Sequence, residues 1–174
     1  QMVLYCLYSH HLRRRPANAK PEGYVPLAGA VLDKLNYTRK SKVRPLAFTA
    51  DKEKGNHLDL SHRNYTVFNI NIIGVYRRNV LEPLELSSLD ISHTRLAPLY
   101  ELRGIRLDTL RMVGVELENP KALPRQIAPL RLKKIILNAD DFPKETIAEL
   151  RKKMEVVDAG KVAEKKKAAA QKKR

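Results

Sequence analysis

The chain has one cysteine, no tryptophan, three phenylalanines and no long apolar run in its 174 residues. A single Cys6 excludes an intrachain disulfide and any zinc site built on several thiolates, so nothing argues for an oxidising compartment. The longest opening apolar stretch, Met2 to Leu7, is too short for a signal peptide, and no run approaches the roughly 18 residues of a membrane span. A cytoplasmic location without membrane attachment is the expectation. With so few aromatics, aliphatic side chains must fill the core, and leucine dominates them. Missing too are the loops of phosphate and nucleotide chemistry: no G-x-G-x-x-G, no Gly-Lys-Ser/Thr P-loop, no H-E-x-x-H and no Gly-x-Ser-x-Gly elbow occurs. No catalytic residue, cofactor or metal is expected.

What is present begins with charge. The formal net charge is +15, and it is unevenly placed. Residues 1–54 carry 11 Lys/Arg against 4 Asp/Glu, residues 55–158 carry 16 against 14, and residues 159–174 carry 7 against 1. The middle is nearly neutral, so the basicity belongs to the flanks. A nucleic-acid-binding face usually shows its basic stripe within the folded part.

The second feature is an internal repeat. Leu86-Ser-Ser-Leu89-Asp-Ile91, Leu107-Asp-Thr-Leu110-Arg-Met112 and Leu132-Lys-Lys-Ile135-Ile-Leu137 are each aliphatic at offsets 0, 3 and 5. Their starts lie 21 and 25 residues apart, and an earlier copy, Leu58-Asp-Leu60-Ser-His62, matches Leu89-Asp-Ile91-Ser-His93 at a spacing of 31 that calls for a longer loop. Position 11 of each copy holds Tyr65, Leu96, Leu117 or Phe142, and Leu99, Leu102 and Leu123 supply inward residues of the return arms.

This pattern resembles the leucine-rich repeats, which have a period of about 20–29 residues. The resemblance implies an α/β fold: a short solenoid of parallel strands with 3₁₀ or extended return arms, in which each repeat buries its leucines only by stacking on a neighbour. The usual Asn of position 9 is replaced by Thr94, Val115 and Asp140, and Pro98, Pro120 and Pro129 argue against long convex helices. A capping helix is expected after Asp141-Phe-Pro143, with Ile147, Leu150 and Met154 as its apolar stripe and Asp141 as its N-cap, followed by a last strand at Val156-Val157.

The strand alternation places Asp59, Asp90, Arg111 and Ile136 in one outward column, flanked by Ser88, Ser92, Thr109, Lys134 and Asn138. The expected partner-binding surface is thus Asp59, Ser88, Asp90, Ser92, Thr109, Arg111, Lys134 and Asn138. Asp90 beside Arg111 suggests a cross-strand ion pair, while Asp59 beside Asp90 calls for a nearby cation. His62 and His93 occupy equivalent positions and should lie close together, as duplicated strand-end residues rather than metal ligands. Ser61–His62 and Ser92–His93 do not form a nucleophile and base, because neighbours on a strand face opposite ways.

Three segments follow from this reading: a basic, helical N-terminal segment over 1–54, the repeat domain over 55–158, and a Lys/Ala-rich tail over 159–174 expected to be disordered. Short helices are expected over Met2–Leu12 and Leu27–Leu35, with an extended lead over Val43–Phe48. Cys6-Leu7 followed by Arg15-Pro16-Ala17-Asn18-Ala19 and an apolar helix resembles the last helices of a protein kinase domain. The "L-x-P-L" arm Leu96-Ala-Pro-Leu99 is similar to repeat tails of bacterial multidomain proteins, some carrying a kinase in front. Together with a start at Gln1, this suggests a piece of a larger, kinase-linked protein, although the kinase motifs themselves are absent.

The leading expectation is a scaffolding module for an unidentified protein partner. The alternatives are the kinase fragment and nucleic-acid binding through the flanks, with Lys165, Lys166, Lys167, Lys172, Lys173 and Arg174 as the tail contacts.

Overall fold

A computed structural model describes residues 19–36, 45–63, 65–72, 76–94 and 99–161. The expected helix over Met2–Leu12, the Cys6–Asn18 segment, Leu96, Pro98 and the tail cations lie outside these residues. The fold is mixed α/β. Its centre is an open six-stranded sheet in the order β1 (Ala47–Thr49), β2 (Asn56–Asp59), β5 (Leu86–Asp90), β6 (Thr109–Arg111), β7 (Lys134–Leu137) and β8 (Glu155–Asp158). β1 pairs antiparallel with β2, and every later pairing is parallel.

The leucine segments form neighbouring strands because their alternation gives each one buried row. Leu58, Leu89, Leu110, Ile135 and Val156 stand in one register row across five strands. The first four of these are wholly buried. Leu60, Ile91, Met112 and Leu137 form a second inward row, and backbone bonds such as Ile91 N–H to Arg111 O (2.9 Å) and Met112 N–H to Ile136 O (2.8 Å) carry the ladder past the strand ends. Burial of each such side chain contributes about 1.5–3 kcal/mol.

Return arms are short. Glu82–Leu84 and Leu99–Leu102 are 3₁₀ turns, and residues 120–130 run as a 3₁₀ turn, a five-residue helix α2 (Leu123–Ile127) and another 3₁₀ turn. Pro83, Pro120, Pro124 and Pro129 stand at the first positions of these pieces, where a missing N–H costs nothing and no long helix can propagate.

Both ends of the core are covered. Helix α1 (Val25–Leu35) buries Ala28, Gly29, Val31 and Leu32, and Asn36 at its C-terminus ties it to the loop after β2. The Asn36 amide donates to Val67 O (3.0 Å), and its oxygen accepts from the N–H groups of Thr66 (2.7 Å) and Val67 (2.9 Å). At the other end, α3 (Lys144–Arg151) buries Ile147 and Leu150 and leads into β8.

The N-cap of α3 is Pro143, with no side-chain cap. Asp141, expected there, instead closes the preceding 3₁₀ turn Ala139–Asp141. Phe142 between them is buried and extended, which separates Asp141 from the helix's free N–H groups.

The long spacing of 31 between the first two copies is occupied by an antiparallel hairpin, β3 (Asn69–Ile72) with β4 (Tyr76–Asn79). Asn69 and Asn79 fasten it to the 3₁₀ turn at Leu99–Leu102, each donating to Glu101 O, at 2.6 and 2.8 Å. The alternating Asn69-Ile-Asn-Ile72 is the strand signal in this stretch.

Candidate functional site

The outward columns of the parallel strands pair as their spacing requires. His57, Ser88, Thr109, Lys134 and Glu155 form one row; Asp59, Asp90, Arg111, Ile136 and Val157 form the next. Together they make a polar face in which most charges already have partners. Arg111 Nε lies 3.2 Å from Asp90 Oδ2, with the guanidinium side 45% exposed and the carboxylate 16%. Lys134 Nζ lies 3.1 Å from Glu155 Oε1. His57 Nδ1 and Ser88 Oγ are in hydrogen-bond contact at 2.7 Å.

Asp59 and Asp90 also do something the alternation did not reveal. Asp59 Oδ1 accepts the N–H of Ser61 (2.7 Å), and Asp90 Oδ1 accepts the N–H of Ser92 (2.8 Å). Each carboxylate bonds the backbone two residues on, the Asx pattern that closes a turn. The turn it closes is the one in which His62 (φ 60°) and His93 (φ 57°) take a left-handed conformation. The cation that these two neighbouring carboxylates call for is Arg111, 3.2 Å from Asp90 Oδ2. Partial burial pushes the Asp59 carboxyl up, but hydrogen bonds from Ser61 and the charges of His57 and His62 outweigh this and hold it below the usual carboxylate range.

The third turn is built otherwise. Arg111 cannot accept an N–H, and the Val113 N–H donates instead to Ser92 Oγ of the preceding turn (3.1 Å). Ser92 is accordingly only 4% exposed. Of the eight residues assigned to the partner surface, it is the one that lies beneath it. Asn138 sits at the end of β7 with its side chain half-buried and its carbonyl accepting the Asp141 N–H (3.2 Å). Thr94, in place of the expected asparagine, is buried and donates to Ile91 O (2.6 Å), so its hydroxyl closes the turn locally.

His62 and His93 do come together: their rings stack at 4.6 Å between centroids, 13° from parallel, and both residues are exposed. The next place in the column is Gly114 (φ 63°), where a Cβ would meet His93 Nδ1 at 2.7 Å. Glycine is needed there both for the backbone and for the ring beside it. Asp59 Oδ1 and Asp90 Oδ1 are each bonded to a backbone N–H of their own loop. Among the described residues no group of three or more His, Cys, Asp or Glu is arranged to hold a metal ion.

A second polar cluster anchors α1 to the first turn. The Tyr65 hydroxyl donates to Asp33 Oδ1, while Arg63 donates to the Tyr65 oxygen (3.0 Å) and to Pro45 O (2.8 Å). Burial and the bond to Asp33 push the Tyr65 phenol up to about 12, with Arg63 opposing. The cluster joins α1, the first turn and the segment ahead of β1.

Among the described residues no helix is long and apolar enough to cross a membrane. Of the residues behind the kinase resemblance, Cys6 to Asn18 lie outside the described set, as do the tail cations Lys165 to Arg174. No protein-family model, curated protein or solved structure matches the chain.

Proposed function

We propose that this chain is a non-catalytic interaction module, a short leucine-rich-repeat solenoid that presents the polar face of its sheet to a protein partner. One observation carries the reading. The same four sequence segments that share an aliphatic pattern lie side by side as parallel strands, in a register that stacks equivalent residues. Equivalent residues then repeat outward as well as inward, which yields an extended polar surface. Such surfaces are where stacked repeats engage partners.

On this face Asp59 and Asp90 hold their own turns, and the contact set is Ser88, Thr109, Arg111, Lys134 and Asn138. Its centre is Arg111 and Lys134, cations already aligned by Asp90 and Glu155. A partner carboxylate can share them without leaving a buried charge unpaired.

The test is photo-crosslinking in cells that express the natural protein, with a photoreactive residue at Thr109 on the face or at Ala148 on α3. The protein captured through position 109 is then purified, and its affinity for the Arg111→Glu/Lys134→Glu variant is measured. A loss of tenfold or more, about 1.4 kcal/mol, is expected. Adducts formed only through position 148, or an affinity the double variant leaves unchanged, would refute the proposed face.

A further inference from the structure

The near-neutral middle of the chain is not neutral in space. Strands β6, β7 and β8 run parallel, so their N-terminal ends lie along one edge of the sheet and their C-terminal ends along the other. Three residues ahead of the paired positions Thr109, Lys134 and Glu155 stand Arg106, Arg131 and Lys152, all exposed. Arg151, at the end of α3, is beside them and also exposed. Lys133 and Lys153 add charge to the same edge, but each is matched, to Asp108 (3.0 Å) and to Glu149 (2.7 Å). The residues after the strands have the opposite sign: Glu116, Glu118, Asp140 and Asp141 are exposed there, and Asp158 closes β8.

Arg106, Arg131 and Lys152 make no ion pair among the described residues. Neighbouring strands lie about 4.8 Å apart; the segments entering three consecutive strands each carry one of these cations, and the sign changes at Glu85 ahead of β5. Like charges at this spacing repel one another, so the arrangement weakens the fold slightly unless an anion lies along it.

We infer that this edge binds the phosphate backbone of a nucleic acid. Two of the three row members are arginines, whose planar fork matches phosphate in two-point contact. Arg131 and Lys152 close the turns that lead into β7 and β8, and Arg106 stands in the segment entering β6; cations placed along one edge in this way suit a polyanion of regular charge spacing. No aromatic residue occurs at 103–108, 130–134 or 151–155 to stack a base, so the contact reads backbone and not sequence. Arg106, Arg131 and Lys152 are not among the residues of the proposed polar face.

The test measures binding of a fluorescent 20-nucleotide single strand, and of its duplex, to the full chain across a salt series. Two variants with equal loss of charge are compared: Arg106→Ala/Arg131→Ala/Lys152→Ala on the edge, and Lys20→Ala/Lys34→Ala/Lys144→Ala on exposed positions elsewhere. The edge variant should lose tenfold or more in affinity at 0.1 M salt. The slope of log affinity against log salt should fall by about 3, close to 0.9 per lost phosphate contact on a duplex. The control variant should lose far less, with its slope nearly unchanged. Equal losses in both variants would mean attraction by bulk charge or the tail, and would overturn the inference. So would the absence of binding by the natural chain, or polyglutamate displacing the oligonucleotide at lower charge concentration, which would mark the edge as a site for an acidic protein.

Discussion

The turns after β2 and β5 do the same task as the turn after β6 with different chemistry. In the first two an aspartate accepts the N–H two residues on, and a left-handed histidine completes the bend. In the third, Arg111 reaches back to Asp90, Ser92 of the previous turn takes the Val113 N–H, and Gly114 makes the bend. The first two supply the acceptor for that N–H from their own aspartate, while the third takes it from its neighbour; His62 and His93 in turn donate their N–H groups to Ser92 O (2.8 Å) and Val113 O (2.9 Å) of the next turn. The lesson concerns what near-identity means: Asp59-Leu-Ser-His62 and Asp90-Ile-Ser-His93 match because both build a turn locally. The match fails at Arg111 and Lys134, the cations at the centre of the proposed contact set.

The largest expected effect is common to all the turns and lies beneath them. Leu89 and Leu110 are both wholly buried. Leu89→Ala and Leu110→Ala should each cost about 2–5 kcal/mol in chemical denaturation. A cost confined to one of them would mean that the strands do not share a single core.

Gly114→Ala comes next. The left-handed backbone alone costs an alanine about 1–2 kcal/mol, and the new methyl group must displace the His93 ring. In a His93→Ala background only the backbone part should remain. An equal cost in both backgrounds would show that the His93 ring is not what confines Gly114.

The anchoring of the first turn to α1 predicts a response to alkali. The Tyr65 phenol is raised from an ordinary value of 10.0 to about 12 in the fold. Because the protonated form is the one favoured, its contribution is complete below pH 10 and disappears as pH rises from 10 through about 12. Denaturation midpoints recorded over that range should fall less steeply for Tyr65→Phe than for the natural chain. Parallel curves would remove Tyr65 from the account.

The smallest effect is that of the Asp90–Arg111 pair. A double-mutant cycle should give about 0.2–1 kcal/mol, decreasing with added salt. A value well above this range would make the pair a structural element rather than an adjustable part of the face.

The strands were legible in the sequence because a period-two pattern with recurring leucines survives any local detail. Leu58, Leu89, Leu110 and Ile135 were placed on neighbouring strands from spacing alone, and the pairing follows that order. The hairpin β3–β4 was not legible, since its anchor is tertiary: Asn69 and Asn79 meet Glu101, more than 20 residues away. The failed cap at Asp141 has a similar origin, because one buried aromatic, Phe142, shifts the helix start by two residues. On the candidate face, the alternation placed Asp90 beside Arg111 correctly, yet it could not tell an aspartate turned outward from one bonded to its own backbone. Ser92 was misplaced for the same reason. Charge segregation was hidden by summing over 55–158, where 16 cations and 14 anions cancel on paper but occupy opposite edges in part.

The central claim is a division of labour: aspartates build the turns, and the cations after them meet the partner. Asp59→Ala and Arg111→Glu, measured side by side for unfolding free energy and for affinity to the crosslinked partner, test it most directly. Asp59→Ala should lose about 1.5 kcal/mol of stability and bind as before, whereas Arg111→Glu should keep its stability within about 1 kcal/mol and lose most of its binding. The reverse outcome, in which Asp59→Ala folds normally but no longer binds, would contradict the account.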